Sequence, residues 1–196
     1  MKIIEPNVKL VTGTPEPLKT IAIAAKLTHS KNVNYDITNE EAERMVRQMI
    51  KLGHTSTLEH VQFTFEVTCS RTCSHQIVRH RIGTAFSQRS ERYVEADPEI
   101  IIPPEIKKDT IKLKRFKQAA EESFDAYHLL TNLGITKEDA RFILPRIATK
   151  MIFSLNGRAL RHFIKLRDSK KAQWEIREVA QQIKELVPNL LVSDLQ

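Results

Sequence analysis

In Val61-Gln62-Phe63-Thr64-Phe65-Glu66-Val67-Thr68, apolar and polar side chains alternate at every position. Successive side chains of a β-strand point to opposite faces, so this pattern predicts a half-buried strand. The two valines and two phenylalanines then share the face that packs on the core. Directly after this strand, residues 71–80 are predicted to return to helix.

The predicted helix delivers a cluster of arginines at its end, in the stretch Arg79-His80-Arg81-Ile82-Gly83-Thr84-Ala85-Phe86-Ser87-Gln88-Arg89-Ser90-Glu91-Arg92-Tyr93. Four guanidinium groups lie within these fifteen residues, and Glu91 is the only acid among them. Arginine is selected where planar, two-point recognition of phosphate or carboxylate matters. The cluster therefore predicts an anion site, for more than one phosphate group.

A solvated basic surface is the alternative interpretation of such a cluster, because many basic patches bind nothing specific. Two features favour a binding site. Apolar residues interleave with the charges, so part of the segment must be buried; they are Ile77, Val78, Ile82, Ala85 and Phe86. Ser87, Gln88 and Ser90 add neutral donors and acceptors that a merely solvating face does not require.

The other predicted elements mix strands and helices without regular order. Residues 2–12 are predicted to form a strand that Pro6 confines in part to a sheet edge. Residues 38–41 form a capping box, and Gly53 ends the helix behind it. Further predicted elements are helix 15–28, polar loop 30–37, extended residues 91–95, a break at 102–104, helix 107–131, helix 136–142 stopped by Pro145, strand 150–155, and helices 157–166 and 171–186. A few strands among many helices, without βαβ alternation, favour an α+β fold.

Two of these helices carry an apolar stripe that predicts which of their faces is buried. In helix 107–131 the stripe consists of Leu113, Phe116, Ala120, Phe124, Tyr127 and Leu130. In helix 171–186 it consists of Ala172, Ile176, Val179, Ala180, Ile183 and Leu186.

Length and charge limit the class of protein. With 196 residues, the chain is predicted to form one domain over residues 1–196. Its net charge of +7 indicates a polyanionic partner such as nucleic acid, a nucleotide or a phosphorylated cofactor. No apolar run reaches the length of a membrane span, and residues 1–6 lack the apolar core of a signal peptide. A cytoplasmic protein without a membrane partner is the expectation.

Several common kinds of site are not supported by the sequence. Cys69 and Cys73 do not form a Cys-x-x-Cys pair, so buried thiols are expected rather than zinc ligands. His54 and His60 flank Glu59 without the spacing of a zinc protease, and no metal site is predicted. The chain has no glycine-rich nucleotide loop, so side chains would have to hold any dinucleotide phosphates. It also has no Gly-x-Ser-x-Gly motif to mark Ser90 as a nucleophile.

A second arginine-bearing stretch follows the strand at 150–155, and it runs Asn156-Gly157-Arg158-Ala159-Leu160-Arg161-His162-Phe163-Ile164-Lys165-Leu166-Arg167-Asp168. On a helix, Arg167 continues the apolar stripe that begins at Leu160. An arginine at the end of such a stripe extends its charge to solvent, forms a salt bridge with a carboxylate, or meets a buried anion. The sequence leaves these alternatives open.

Taken together, Arg79-His80-Arg81 and Ser90-Glu91-Arg92-Tyr93 resemble the signature of the flavin-dependent thymidylate synthases. Seven residues commonly separate the two parts, whereas eight do so here, a spacing that some members share. Further segments resemble the same family, in the same order: Gly53 to His60, Ala140 to Pro145, Asn156 to Leu160, and Leu166 to Ser169 followed by Ala172 to Ile176. Ordered matches across residues 50–180 are far more specific than a lone Arg-His-Arg.

The resemblance implies an α+β homotetramer whose active sites are shared between subunits. It also implies a reaction, in which deoxyuridine monophosphate (dUMP) is methylated at C5 to give dTMP, with 5,10-methylenetetrahydrofolate as the carbon donor. Flavin adenine dinucleotide (FAD) would carry a hydride from NADPH. All of these ligands are anions, which suits a basic protein with clustered arginines.

By resemblance, the flavin would be bound by His54, Ser56, Arg79, His80, Arg81, Gln88, Asn156, Arg158 and His162. Some members carry Asn where His162 stands, and Gln88 stands where some have Glu. The dUMP would be bound by Gln76, Arg79, Gln88, Arg89, Ser90, Glu91, Arg92, Arg141 and Arg167. Within this set, Arg89, Ser90 and Arg92 would hold the phosphate.

Arg167 is the predicted catalytic residue. The resemblance implies that it faces the uracil ring, where its fixed charge would stabilise negative charge that develops as C5 becomes nucleophilic. Two mechanisms are then distinguishable: covalent attack by Ser90 on C6, or hydride transfer without an enzyme nucleophile. We prefer the second, because a serine without an evident histidine base is a weak nucleophile.

A nucleic-acid-binding module is the competing class of function. It would use the same basic residues and would bind DNA or RNA with a steep dependence on salt. It gives no account of Arg141 and Arg167, which stand among apolar residues. We therefore expect no specific nucleic-acid partner. A third interpretation is an inactive regulatory relative of the synthases.

Overall fold

A computed structural model describes residues 1–32, 34–193 and 195. Its strands are β1 (Lys2–Ile3), β2 (Asn7–Gly13), β3 (Gln62–Ser70), β4 (Thr84–Gln88), β5 (Glu99–Ile100) and β6 (Ala148–Asn156). Its α-helices are α1 (Pro17–Leu27), α2 (Asn39–Lys51), α3 (Arg71–Ile77), α4 (Pro104–Lys107), α5 (Thr110–Asn132), α6 (Lys137–Ala140), α7 (Gly157–Arg167) and α8 (Trp174–Glu185). Short 3₁₀ helices cover Thr55–His60, Arg141–Ile143 and Asn189–Leu191. The α+β prediction is confirmed.

Strand β3 lies inside a four-stranded antiparallel sheet with the order β2-β3-β6-β4. The predicted alternation is confirmed, because Val61, Phe63, Phe65 and Val67 are buried while the residues between them are exposed or half-buried. Strand β6 pairs with β3 along its whole length, from Gln62 opposite Asn156 to Ser70 opposite Ala148. The predicted strand 150–155 is thus confirmed and extended.

The structure corrects the sequence prediction in two places, the N-terminal strand and residues 84–95. The N-terminal strand is interrupted around Pro6, and its first part, β1, pairs in parallel with β5 instead of joining the main sheet. Residues 91–95 were expected to be extended, but the chain turns there, with Tyr93 N and Val94 N donating to the carbonyl of Ser90. Strand β4 was not predicted, because its residues stand within the arginine cluster and lack a strong apolar alternation.

Two helix boundaries also differ from prediction. The helix predicted over 107–131 begins only at Thr110, because the Asp109 carboxylate caps α5 by accepting from Ile111 N and Lys112 N; residue 107 instead ends the separate short helix α4. The last helix begins at Trp174 rather than 171, where Gln173 supplies the cap. Its predicted stripe is buried except at its ends, and Leu186 is 37% exposed. None of the helices in the described residues is long and apolar enough to cross a membrane.

Gly53 ends α2 as predicted, and it does so through a left-handed backbone with φ of 73°. Gly53 N donates to the carbonyl of Ile50, and His54 N donates to that of Met49. This pair of bonds is the Schellman motif, which glycine permits at little steric cost. It turns the chain directly into the 3₁₀ helix Thr55–His60.

The main core lies between the sheet and helices α7 and α8. It contains the apolar face of β3 and β6 together with Leu160, Phe163, Ile164 and the buried stripe of α8. A second apolar cluster packs α5 against the β5 region, and it includes the predicted Ala120, Phe124 and Tyr127. Cys69 and Cys73 are free thiols buried in the main core, as expected.

A buried carboxylate connects α8 to the junction of β3 and α3. Glu175 is 2% exposed and accepts hydrogen bonds from Ser70 N at 2.6 Å and Ser70 Oγ at 2.5 Å. The same Ser70 Oγ accepts from Cys73 N, so it also caps α3. Burial raises the pKa of Glu175, and the bonds from Ser70 oppose that shift. The interaction sets where α3 begins.

We predict that Glu175→Ala lowers the free energy of unfolding by about 2–3 kcal/mol, because it leaves the buried Ser70 N–H without an acceptor. Urea denaturation measures this change. The matched control is Glu185→Ala at the exposed end of the same helix, which should cost less than about 0.5 kcal/mol. An equal effect of the two substitutions would contradict the assignment.

Candidate functional site

A cavity of about 590 Å³ opens where the segment after α3, the 3₁₀ helix Thr55–His60 and α7 meet. Four arginines give its wall a positive character, and two histidines and one carboxylate lie among them. The lining residues are Glu59, Arg79, His80, Arg81, Ile82, Gly83, Asn156, Arg158, Ala159, His162, Leu166 and Arg167. The wall therefore combines cations for an anionic ligand with apolar side chains suited to a ring.

Two close approaches of the backbone assemble this wall. Asn156 caps α7 by accepting from Ala159 N at 2.8 Å, and its own N donates to the carbonyl of Gly83 at 2.9 Å. A Cβ at Gly83, whose φ is 69°, would lie 2.6 Å from Asn156 Nδ2. On the other side, a Cβ at Gly157 would lie 2.6 Å from the carbonyl oxygen of Leu58. Glycine at both positions lets α7 begin against the two neighbouring segments.

Arg167 is held by two neutral acceptors, neither of which compensates its charge. Its Nε donates to His80 Nε2 at 2.9 Å, and its Nη2 donates weakly to the carbonyl of Gln76 at 3.4 Å. Of the three alternatives for this arginine, a salt bridge was the simplest, but these partners are a neutral imidazole nitrogen and a carbonyl. The half-buried guanidinium thus keeps a full positive charge at the cavity wall.

His80 must be neutral to accept this hydrogen bond. Burial, then the charge of Arg167 and then His162 lower the pKa of His80 to about 4. The ring is 9% exposed and packs edge-on against Phe163, with 4.9 Å between the ring centroids. Since Nε2 accepts from Arg167, the ring proton of the neutral form is on Nδ1.

Arg158 lies at the exposed edge of the cavity and forms an ion pair with Glu59, with 2.7 Å between Nη1 and Oε1. The two side chains are 58% and 45% exposed, so the pair is screened by solvent and contributes little stability. An anion entering the cavity can therefore replace Glu59 as the partner of Arg158.

A second group of charges lies on the turn that follows β4. Arg89 Nη1 is 2.5 Å from Asp97 Oδ2, and Arg92 Nε is 2.8 Å from Glu138 Oε1. Ser90 Oγ accepts from Arg92 N at 3.3 Å. Arg141 joins the group through its Nε, which donates to the carbonyl of Glu138. None of these side chains lines the cavity in the part of the chain that the structure describes.

The structure thus places the predicted site residues in two groups. Of the residues predicted for the flavin, six line the cavity: Arg79, His80, Arg81, Asn156, Arg158 and His162. His54 and Ser56 are exposed at the start of the 3₁₀ helix that contributes Glu59. Of the residues predicted for dUMP, Arg79 and Arg167 line the cavity, and Gln76 contacts Arg167. Five more belong to the second group of charges, at the turn after β4: Arg89, Ser90, Glu91, Arg92 and Arg141.

Gln88 is the last residue of β4 and does not line the cavity in the described part of the chain. Its Nε2 donates to Ser74 Oγ at 3.0 Å and to Thr149 Oγ1 at 3.4 Å, two buried hydroxyls. Sequence reasoning did not identify Arg71 or Glu59 as site residues. Arg71 is a single arginine outside the cluster, and Glu59 lies between His54 and His60 without a recognisable motif, so no local pattern marks either residue. The described residues contain no group of three or more His, Cys, Asp or Glu side chains that could hold a metal ion.

Comparisons with known proteins agree on one family. Residues 9–191 match the family described as "Thymidylate synthase complementing protein". The flavin-dependent thymidylate synthase of Pyrococcus furiosus is 42% identical over 185 residues, which cover 89% of this chain and 75% of that protein. The protein of the same name from Clostridium tetani is 38% identical, over 94% of this chain and 84% of the relative.

Among solved structures, the fold is similar to that of the UMP/dUMP methylase PolB from Streptomyces cacaoi, solved with 5-Br dUMP bound. The TM-score is 0.84, with 95% of this chain and 91% of that chain covered. Sequence identity is 24%, so this similarity concerns the fold alone.

We predict that neutral His80 makes stability depend on pH between 6.5 and about 4. In that window the unfolded chain binds a proton at His80 and the folded chain does not, so stability falls as pH falls, by up to about 1.4 kcal/mol per pH unit. Urea denaturation at pH 7 and pH 5 should show that the wild type loses more stability than His80→Gln.

The control for this prediction is His75→Gln, which removes an exposed histidine from the same segment. This variant should lose stability with falling pH in parallel with the wild type. If it instead follows His80→Gln, burial of His80 beside Arg167 is not the cause.

Proposed function

The chain belongs to the flavin-dependent thymidylate synthase family, and we propose that it methylates dUMP to dTMP with 5,10-methylenetetrahydrofolate as carbon donor and NADPH as reductant. The observation that carries the proposal is the cavity, in which Arg79, His80 and Arg81 meet Asn156 at the end of β6 and Arg158 and His162 of α7. These two segments are far apart in the chain, and both carry residues that the family resemblance associates with the flavin. Because the folded chain brings these two segments to one cavity, they support a single flavin site.

The cavity residues fit FAD as the flavin. Arg79, Arg81 and Arg158 supply the charge that its pyrophosphate requires, and Asn156, which caps α7 through Oδ1, can offer its Nδ2 as a donor. Ile82 and Leu166 offer apolar surface for a ring. When bound, the flavin supplies the hydride that completes the methyl group.

Arg167 would act on the nucleotide base. The neutral ring of His80 fixes its Nε without neutralising its charge. A guanidinium directed at the uracil carbonyl side would stabilise the negative charge that builds up as C5 becomes nucleophilic. Because it is oriented before the substrate arrives, little reorganisation is needed during the reaction.

The turn with Arg89, Ser90 and Arg92 would bind the phosphate of dUMP, together with Arg141. In this chain its arginines pair with Asp97 and Glu138, which are partly exposed and can be displaced by a dianion. We further propose that the protein is a homotetramer with active sites shared between subunits. In that assembly the turn of one subunit can bind the phosphate of a dUMP molecule that occupies the cavity of another subunit.

We predict that Ser90→Ala raises the KM for dUMP several-fold and changes kcat by less than about threefold, because one hydroxyl contact to phosphate is lost. Arg167→Ala should lower kcat by about 10²–10³, the usual cost of removing a preorganised charge partner. Steady-state dTMP formation measures both. Complete inactivity of Ser90→Ala with intact dUMP affinity would indicate a serine nucleophile and falsify this assignment.

We predict that the purified, desalted protein binds added FAD and that its visible spectrum bleaches when NADPH is added without oxygen. Arg158→Ala should weaken FAD binding by about ten- to a hundredfold, since a charge-assisted phosphate contact contributes about 1.5–3 kcal/mol. Lys165→Ala removes an exposed charge of the same helix outside the cavity wall and should bind FAD normally. A protein that takes up no FAD would contradict the proposal, and titration with nucleic acid would then test the competing class.

A further inference from the structure

We propose that Arg71 is a positioning residue that holds residues 89–92 in the conformation that binds the substrate phosphate. This inference rests on the proposed function of that turn. Arg71 does not belong to the arginine cluster in the sequence, and it lies eighteen positions before Arg89. It is the first residue of α3, and its N donates to the carbonyl of Ile147 at 3.0 Å, just before β6.

One guanidinium contacts the turn at two points. Nη2 of Arg71 donates to the carbonyl of Arg89 at 3.0 Å, and Nε lies 2.7 Å from Glu91 Oε1. The second contact is an ion pair in which the N–H is poorly aligned with the carboxylate. Because a guanidinium is planar and rigid, the two contacts fix the main chain at Arg89 relative to the side chain of Glu91.

The three ion pairs around the turn differ in how deeply they are buried. The most buried pair can anchor the turn, whereas the two exposed pairs can exchange their acidic partner for a ligand. The side chains of Arg71 and Glu91 are each 19% exposed. Those of Arg89 and Asp97 are 35% and 57% exposed, and those of Arg92 and Glu138 are 50% and 46% exposed. Exposed pairs contribute little and can be exchanged for phosphate, whereas breaking the more buried pair would leave a desolvated charge.

Arg71 also keeps the local charge favourable to a dianion. Glu91 is the only acid between Arg79 and Tyr93. Held by Arg71, its carboxylate is not available to neutralise Arg89 or Arg92. Without Arg71, Glu91 would pair with one of these two arginines and repel the phosphate. The bond from Arg92 N to Ser90 Oγ and that from Val94 N to the Ser90 carbonyl complete an ordered turn.

The test compares Arg71→Ala, Arg71→Lys and wild type by the KM and kcat for dUMP and by FAD binding. We expect both variants to raise the KM about tenfold or more, the effect of losing about 1.4 kcal/mol of binding, while kcat stays within about threefold. FAD binding should be unchanged, because Arg71 does not line the cavity. Lysine keeps the charge but cannot make both contacts, so it separates positioning from simple electrostatics.

The matched control is Arg47→Ala, which removes one positive charge from the exposed face of α2. It should leave the KM at the wild-type value. Glu91→Gln supplies a second approach from the opposite side of the ion pair, and it should also raise the KM. This variant decides the question if Arg71→Ala does not fold.

Three results would overturn the inference: a wild-type KM in Arg71→Ala, a wild-type KM in Arg71→Lys, or a loss of FAD binding in parallel with dUMP binding. The last result would indicate a general structural role. A wild-type protein that binds FAD but neither binds nor methylates dUMP would instead overturn the proposed function.

Discussion

The register of β6 between β3 and β4 is the constraint on which the candidate site depends. Asn156, the last residue of β6, lies opposite Gln62 at the start of β3, and Thr84 of β4 lies opposite Leu155. The segment that enters β4 therefore passes Asn156 at the start of α7, and the 3₁₀ helix that precedes β3 lies against Gly157 on the other side of that start. A shift of one residue would exchange the buried and exposed faces of β6 and separate these segments.

The candidate site also depends on His80 being neutral. An imidazole that accepts a hydrogen bond orients Arg167 without cancelling its charge, whereas a carboxylate would orient it and neutralise it. Burial makes this possible, because it disfavours protonation of His80, and the neighbouring guanidinium adds to the effect. The apolar ring of Phe163 beside His80 belongs to the same core that supports α7. Core packing and the electrostatics of the cavity are thus coupled.

The arginines of this chain have different roles according to their burial. Arg71 is anchored in a partly buried ion pair, Arg167 is bound to neutral acceptors, and Arg89 and Arg92 have exposed acidic partners that a ligand can displace. In the sequence these residues look alike. Their partners come from segments that are distant in the chain or from the far side of a turn, so the role of each arginine follows from tertiary contacts.

Elements with a local signal could be predicted from the amino-acid sequence. The alternation at Val61 to Thr68, the stripe from Leu160 to Ile164 and the end of α2 at Gly53 were all predicted, because periodicity and glycine reflect local sterics and burial. Ordered motifs were enough to indicate the family. That residues 84–88 form a strand follows instead from the folded chain, since this strand is defined by its pairing with β6. The folded chain also divides the predicted residues between a cavity and a turn, and it makes His80 neutral. Register, partner choice and burial depend on contacts between distant residues, which no local pattern encodes.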